Sequence, residues 1–150
     1  MASRRKITSW VATIVLLTLV GIGIAFVSAV VSTAKHAEFA LDGTTIVIMV
    51  AEKYVHDHGE WPASWKDLES VSLDPGGRFS WPGGLKELQN IQEFVEVDFS
   101  LTLDQVANQR CDDFHAIRPH GTAYSGWERG IPSLLQTVQK ARKSVKNEPK

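Results

Sequence analysis

Asp113, His115 and His120 form the closest approach in this chain to an acid-base or metal-binding cluster. Two residues apart on a strand, Asp113 and His115 would share one face, but Pro119 disturbs the alternation before His120 is reached. His56 and His58 flank Asp57, and on a helix that spacing sends them to different faces. With no HExxH pattern or cysteine pair beside them, they read as solvated histidines at a helix end rather than zinc ligands. Cys111 is the single cysteine, which excludes an intrachain disulfide and a cysteine zinc cluster. Asp112 and Asp113 beside it disfavour its thiolate, an argument against a nucleophile. Ser125, in Tyr124-Ser125-Gly126, lacks the flanking glycines of a nucleophile elbow. The sequence therefore predicts no catalytic residue, no metal and no cofactor.

Binding is the better prospect. Trp61, Trp65, Trp81 and Trp127, with Tyr124, are many large aromatics for a small domain. Exposed, they would stack on sugars or grip a protein partner, but aromatics dominate ordinary cores as well, and core packing is the expected use. Residues 118–130 combine arginine, proline, histidine, tyrosine, tryptophan and three glycines in a nonhelical stretch longer than a plain connector requires. The alternative function, an anchored module that binds a glycan or peptide, would place its surface at Trp81 and, within this stretch, at Arg118, His120, Tyr124 and Trp127.

These residues need an element to hold them and a compartment to work in. Residues 7–31 carry no formal charge, and as a helix these 25 residues would span about 37 Å against a hydrocarbon layer of about 30 Å. Thirteen Val, Leu, Ile and Phe residues between Val11 and Val31 contribute on the order of 5 kcal/mol of insertion free energy at roughly 0.4 kcal/mol each. Arg4, Arg5 and Lys6 precede the run, and burying any of them would cost about 3 kcal/mol, which keeps that end cytoplasmic. Trp10 sits where an interfacial aromatic belongs. The sequence predicts a signal anchor in the cell membrane, single-pass, with its N-terminus cytoplasmic and its C-terminal domain extracytoplasmic. Ala29 and Ala34 end two short stretches of the kind a signal peptidase accepts, so a cleaved form is the competing reading. Gly21, Ala25 and Ala29 recur every fourth residue, a small-residue stripe that would let two such helices approach closely.

Three of the 16 lysines and arginines precede the span, leaving 13 against 17 acids beyond it. A mildly acidic domain with no basic stripe is a poor ligand for phosphate backbones, so nucleic acid is excluded as a partner. Residues 32–43 read as a stalk that continues the helix until Gly43 interrupts it. Residues 44–58 then follow a helical face, with Gly59 suited to a C-terminal stop. Ser64 resembles the N-cap of a short helix that carries Trp65 and Leu68 inward. Residues 74–84, with two prolines and four glycines, are a loop around a brief strand at 79–81, and Leu85, Leu88 and Ile91 support a short helix. Val95, Val97, Phe99, Leu101 and Leu103 alternate with polar residues, which predicts a strand over 95–103 with one wet face. Its partner is expected at 114–118, after a bend over 104–113. Ser133, with Gln136 three residues on, reads as the N-cap of an amphipathic terminal helix that ends in Lys140, Arg142, Lys143 and Lys146.

Tyr54, Gly59, Trp61, Pro62 and Leu68, at the end of a helix that follows an apolar N-terminal helix, form a pattern that resembles the major pseudopilins of type II secretion and other type IV pilin-like proteins. It covers residues 44–73. The resemblance implies that Gly59 stops the long helix, Pro62 turns the chain, and Tyr54, Trp61 and Leu68 pack along the seam. The family's leader, a basic stretch ending in glycine with a glutamate soon after, has no counterpart here. Lys6 is followed by Ile7, and the first acid is Glu38. The expectation is thus an α+β chain: a cytoplasmic tail (1–6), a transmembrane helix (7–31), a stalk (32–43), an exported pilin-like domain with helices packed on a short antiparallel sheet (44–146), and a frayed tail (147–150). Its predicted role is noncatalytic and structural, in contact with the membrane and with other envelope proteins or itself.

Overall fold

The computed structural model describes residues 2–71, 91–121 and 123–147. The chain forms two compact units, Met1–Lys35 and His36–Lys150. Its architecture is α+β: a long apolar N-terminal helix, further helices and a two-stranded antiparallel sheet. The expected loop, strand and helix within 72–90 lie outside the described residues, and so does Trp81.

Helix α1 runs Ala2–His58. Among the described residues it is the one helix long and apolar enough to cross a membrane. In the first unit its large side chains, from Val15 through Leu19, Ile24, Phe26 and Val31, are exposed. In the second unit the same helix becomes the spine of the core. Ala37, Ala40, Thr44, Val47, Ala51 and Tyr54 recur at intervals of three and four and are all buried, as are Ile46, Ile48, Val50 and Val55. Met49, Lys53 and His56 form a narrow exposed stripe beside these buried residues.

Gly43 does not interrupt this helix, contrary to the sequence expectation. A Cβ there would lie 3.2 Å from both Ile91 Cγ2 and Val95 Cγ2, so the glycine's service is to let residues 91 and 95 approach the helix backbone. Its helix-weakening cost of about 1 kcal/mol is outweighed by the packing on either side. Buried Ala37 and Ala40 likewise place the upper part of the expected stalk inside the domain. Gly59 does stop the helix. It adopts φ 71° and donates its N–H to Val55 O at 2.9 Å, a left-handed C-terminal turn that glycine enters without steric penalty.

Trp61 and Pro62 are buried after the turn, and the short helix α2, Trp65–Glu69, buries Leu68 against α1. Ser64 occupies the N-cap position, but its side chain makes no capping bond. Asp67 reaches back instead, accepting from Ala63 N–H at 2.8 Å and Ser64 Oγ at 3.2 Å.

Strands β1 (Val95–Val97) and β2 (Ile117–Pro119) pair antiparallel, Val95 opposite Pro119, Glu96 opposite Arg118 and Val97 opposite Ile117. The strand expected over 95–103 is therefore only three residues long. Asp98 Oδ1 accepts Ser100 N–H at 3.0 Å and Ser100 Oγ at 2.6 Å, which turns the chain out of the sheet. Thr102 and Gln105 then form a reciprocal capping box that starts helix α3, Leu103–Ala107. Local side-chain bonds thus outcompete the ladder, and Phe99, Leu101 and Leu103 still pack against the core without a strand. The bend expected at 104–113 is in part this helix. Pro119, expected to end the partner strand, belongs to β2.

A 3-10 turn, Trp127–Gly130, leads into helix α4, Ile131–Asn147. Ser133 is not its N-cap. It lies inside the first turn, and its Oγ donates to Glu52 Oε1 of α1 at 2.7 Å, joined by Thr137 Oγ1 at 3.1 Å. Leu134, Leu135 and Val138 are buried, whereas Val145, seven residues on from Val138, is 60% exposed because the helix outruns the core there.

Candidate functional site

The face of the two strands positions a cleft of about 600 Å³ lined by Trp65, Val95, Glu96, Val97, Asp98, Phe99, His115 and Arg118. Cross-strand pairing sets Glu96 opposite Arg118, and Arg118 Nε donates to Glu96 Oε2 at 2.6 Å. Asp98, two residues on, shares that face by the period of the strand. Its carboxyl is held below the usual carboxylate range, first by the Ser100 hydroxyl and then by the Ser100 N–H. Trp65 and Phe99 meet edge to face, with ring centroids 5.6 Å apart at 76°. The turn that ends β1 brings Phe99 to α2, so the same local bonds that shorten the strand build this aromatic wall.

The acids of the cleft are committed, Glu96 to Arg118 and Asp98 to Ser100. The cleft thus presents an exposed ion pair able to exchange hydrogen bonds with a polar ligand, beside aromatic edges able to pack on an apolar face. His115 stands at the rim with Nδ1 3.1 Å from Asp113 O and Nε2 3.2 Å from Gln109 Nε2. Asp113 turns away from it and accepts Arg110 N–H through Oδ1 at 2.8 Å. Asp113 and His115 are neighbours without being an acid-base couple. Among the described residues no group of three His, Cys, Asp or Glu side chains is placed to hold a metal ion.

Trp81 lies outside the described residues, and of the other four residues expected to make a binding surface only Arg118 lines this cleft. Arg118 faces the cleft. His120 follows β2, donating its N–H to Phe94 O at 2.7 Å, and its carbonyl oxygen lies 3.4 Å from His36 Nε2 of α1. Tyr124 is 51% exposed, and Trp127 is half-buried against the core. Trp65, Glu96, Asp98 and Phe99 are cleft residues absent from the expected set. Their signal was in the sequence, because the alternation placed Glu96 and Asp98 on one wet face opposite a strand carrying Arg118.

The aromatic-glycine-proline residues are packed as a seam. Tyr54, Trp61, Pro62 and Leu68 are buried. Trp61 Nε1 donates to Asp98 O at 3.0 Å, which ties the turn after α1 to the end of β1. Tyr54 stacks on His58 at 4.2 Å and donates its hydroxyl to Glu60 Oε1 at 3.2 Å. Burial, and then the Asp67 charge, push its phenol above the ordinary value. His58 Nδ1 lies 3.0 Å from Tyr54 O, and His56 Nδ1 lies 2.9 Å from Asp57 Oδ1. Bonds from His56 and Lys53 lower the Asp57 carboxyl to about 2. Both histidines thus serve the helix end. Gly21, Ala25 and Ala29 lie exposed on the apolar part of α1, with nothing within 4 Å of a Cβ built at Gly21. Comparison of the chain with known protein families, curated proteins and solved structures finds no match.

Proposed function

We propose that this chain is a noncatalytic, single-pass membrane protein of the cell envelope with pilin-like architecture, its N-terminus cytoplasmic and its domain extracytoplasmic. It works by contact with other envelope proteins or with copies of itself. The observation that carries this reading is the change of surroundings along α1. Apolar side chains from Val15 to Val31 are exposed in the first unit, whereas from Ala37 onward the helix is buried as the spine of a domain. Leaving that many Val, Leu, Ile and Phe side chains in water is unfavourable by about 1.5–3 kcal/mol each, and lipid removes the penalty. The buried seam of Tyr54, Trp61, Pro62 and Leu68 supports the pilin-like part.

Alkaline carbonate washing of vesicles tests the anchor, and the expected result is full-length protein retained in the pellet. Release of intact protein to the supernatant would refute it. A protease-sensitive tag after Lys150 should be cut only from the extracytoplasmic side. Cysteine crosslinking from Gly21 or Ala25 should trap a self-adduct or a defined envelope partner, and large residues there should abolish it.

The cleft favours a second reading, an anchored module that binds a glycan or peptide. Its ligand contacts would be Trp65, Phe99, Glu96 and Arg118. A shift of tryptophan fluorescence on titration with a glycan and peptide panel, lost in Arg118→Ala, would select it over the first.

A further inference from the structure

We propose that the cleft on the strand face binds an extended peptide segment through an arginine side chain, with Glu96 and Asp98 taking the guanidinium. The inference rests on the reading of this cleft as the binding site of an anchored module, and it names the ligand that the charges there select.

Hydrogen bonds inside the cleft leave a defined remainder. Arg118 Nε donates to Glu96 Oε2 at 2.6 Å, and among the described residues no donor reaches Glu96 Oε1. Ser100 N–H and Ser100 Oγ both donate to Asp98 Oδ1, at 3.0 and 2.6 Å, and none reaches Oδ2. Each carboxylate thus keeps one oxygen for a ligand, on a strand face that spaces the two residues about 6.5–7 Å apart. Asp98 stays ionised there, because the Ser100 bonds hold its carboxyl below the usual carboxylate range. His115 at the rim completes its bonds as a neutral ring. Its Nδ1–H donates to Asp113 O at 3.1 Å, and its Nε2 accepts from Gln109 Nε2 at 3.2 Å, an amide oriented by the 3.1 Å bond from His115 N–H to Gln109 Oε1. Two carboxylates against one guanidinium leave the cleft with a net negative charge.

Acceptor oxygens in a negative cleft select a cation that only donates. Lysine and arginine both meet that requirement, but an ammonium is a point charge, whereas the forked N–H groups of a guanidinium reach two carboxylates at once. Arg118 is already matched by Glu96 Oε2, so Asp98 supplies the unmatched charge that an incoming cation meets. The wall of Trp65 and Phe99, ring centroids 5.6 Å apart, takes the aliphatic stem of the arginine. Arg118 Nη groups, unbonded among the described residues, face a main-chain carbonyl of the same segment. A cleft of about 600 Å³ has room for the flanking residues as well as the side chain. A neutral glycan brings no charge to match, which favours the peptide.

The test uses the full-length chain in an uncharged detergent. It is titrated with blocked peptides that lack aromatic residues and differ only in a central arginine, lysine, citrulline or glutamate, and with neutral oligosaccharides of glucose and N-acetylglucosamine. Tryptophan fluorescence reports occupancy beside Trp65. The arginine peptide should bind about tenfold more tightly than the citrulline peptide, which has the same shape without the charge. Glu96→Gln and Asp98→Asn should each weaken the arginine peptide several-fold and leave the citrulline peptide unchanged. Added salt should weaken the arginine peptide alone, a readout that needs no variant. Equal affinity for arginine and citrulline, or a shift with an oligosaccharide or the glutamate peptide that the arginine peptide fails to produce, would overturn the proposal and leave the cleft a binding site. No shift with any peptide or oligosaccharide would overturn both.

Discussion

Gly130 is where one added methyl group presses hardest on the spine of the domain. A Cβ at this position would lie 2.8 Å from Ile48 Cγ2 and 3.7 Å from Ile48 Cβ. Carbon atoms rest about 3.5–4.0 Å apart, so the shortfall is about 1 Å, and Ile48 is fully buried on α1 with no room to retreat. Overpacking of this kind costs about 1–3 kcal/mol. Replacing glycine stiffens the unfolded chain and returns about 0.4–1 kcal/mol, so Gly130→Ala should destabilise by about 1–2 kcal/mol. Ile48→Ala alone should cost about 2–5 kcal/mol through lost burial and a cavity. In that background the clash is gone, and Gly130→Ala should turn neutral or stabilising, a coupling of about 1–3 kcal/mol. Urea unfolding of the full chain in detergent, followed by tryptophan fluorescence, gives the four midpoints of the cycle. A destabilising Gly130→Ala of equal size in both backgrounds would refute the idea that the 3-10 turn is seated directly on Ile48.

Three further results are expected from the same preparation. Trp61→Phe keeps the ring burial but leaves Asp98 O without its indole donor, and should lower stability by about 1 kcal/mol in the urea midpoint. Gly59→Ala meets no atom within 4 Å, so its loss of about 1 kcal/mol comes from the positive φ alone, and Gly59→Asn should recover part of it. Asp98 has a carboxyl pKa lowered by its bonds from Ser100, so its contribution is present above the unfolded value near 3.9 and is lost as pH falls through the lower folded value. Carbon-detected NMR titration should place Asp98 below the ordinary aspartate range, and Ser100→Ala should bring it back toward that range.

The cleft was half legible in advance. Alternation from Val95 placed Glu96 and Asp98 on one face, and a partner strand near Arg118 followed from the residues around Pro119. Strand length was over-read, because the Asp98–Ser100 turn and the Thr102–Gln105 capping box are local side-chain bonds, two and three residues in span, that a period-two hydropathy pattern conceals. Trp65 was expected to point inward, and its edge contact with Phe99 depends on a turn that brings two distant segments together.

Charge, the uncharged span of residues 7–31, the stop at Gly59 and the buried face of α1 between them were written in the sequence, since each rests on local composition or helical period. Tertiary structure alone decided that Gly43 stays within the helix, that Ser133 bridges to Glu52 instead of capping, and that Arg118 and His120 serve different places. A glycine's role depends on which side chain presses against it, and a serine's on which acceptor lies within reach. Both facts are set by residues far away in the chain, so no reading of neighbouring positions contains them.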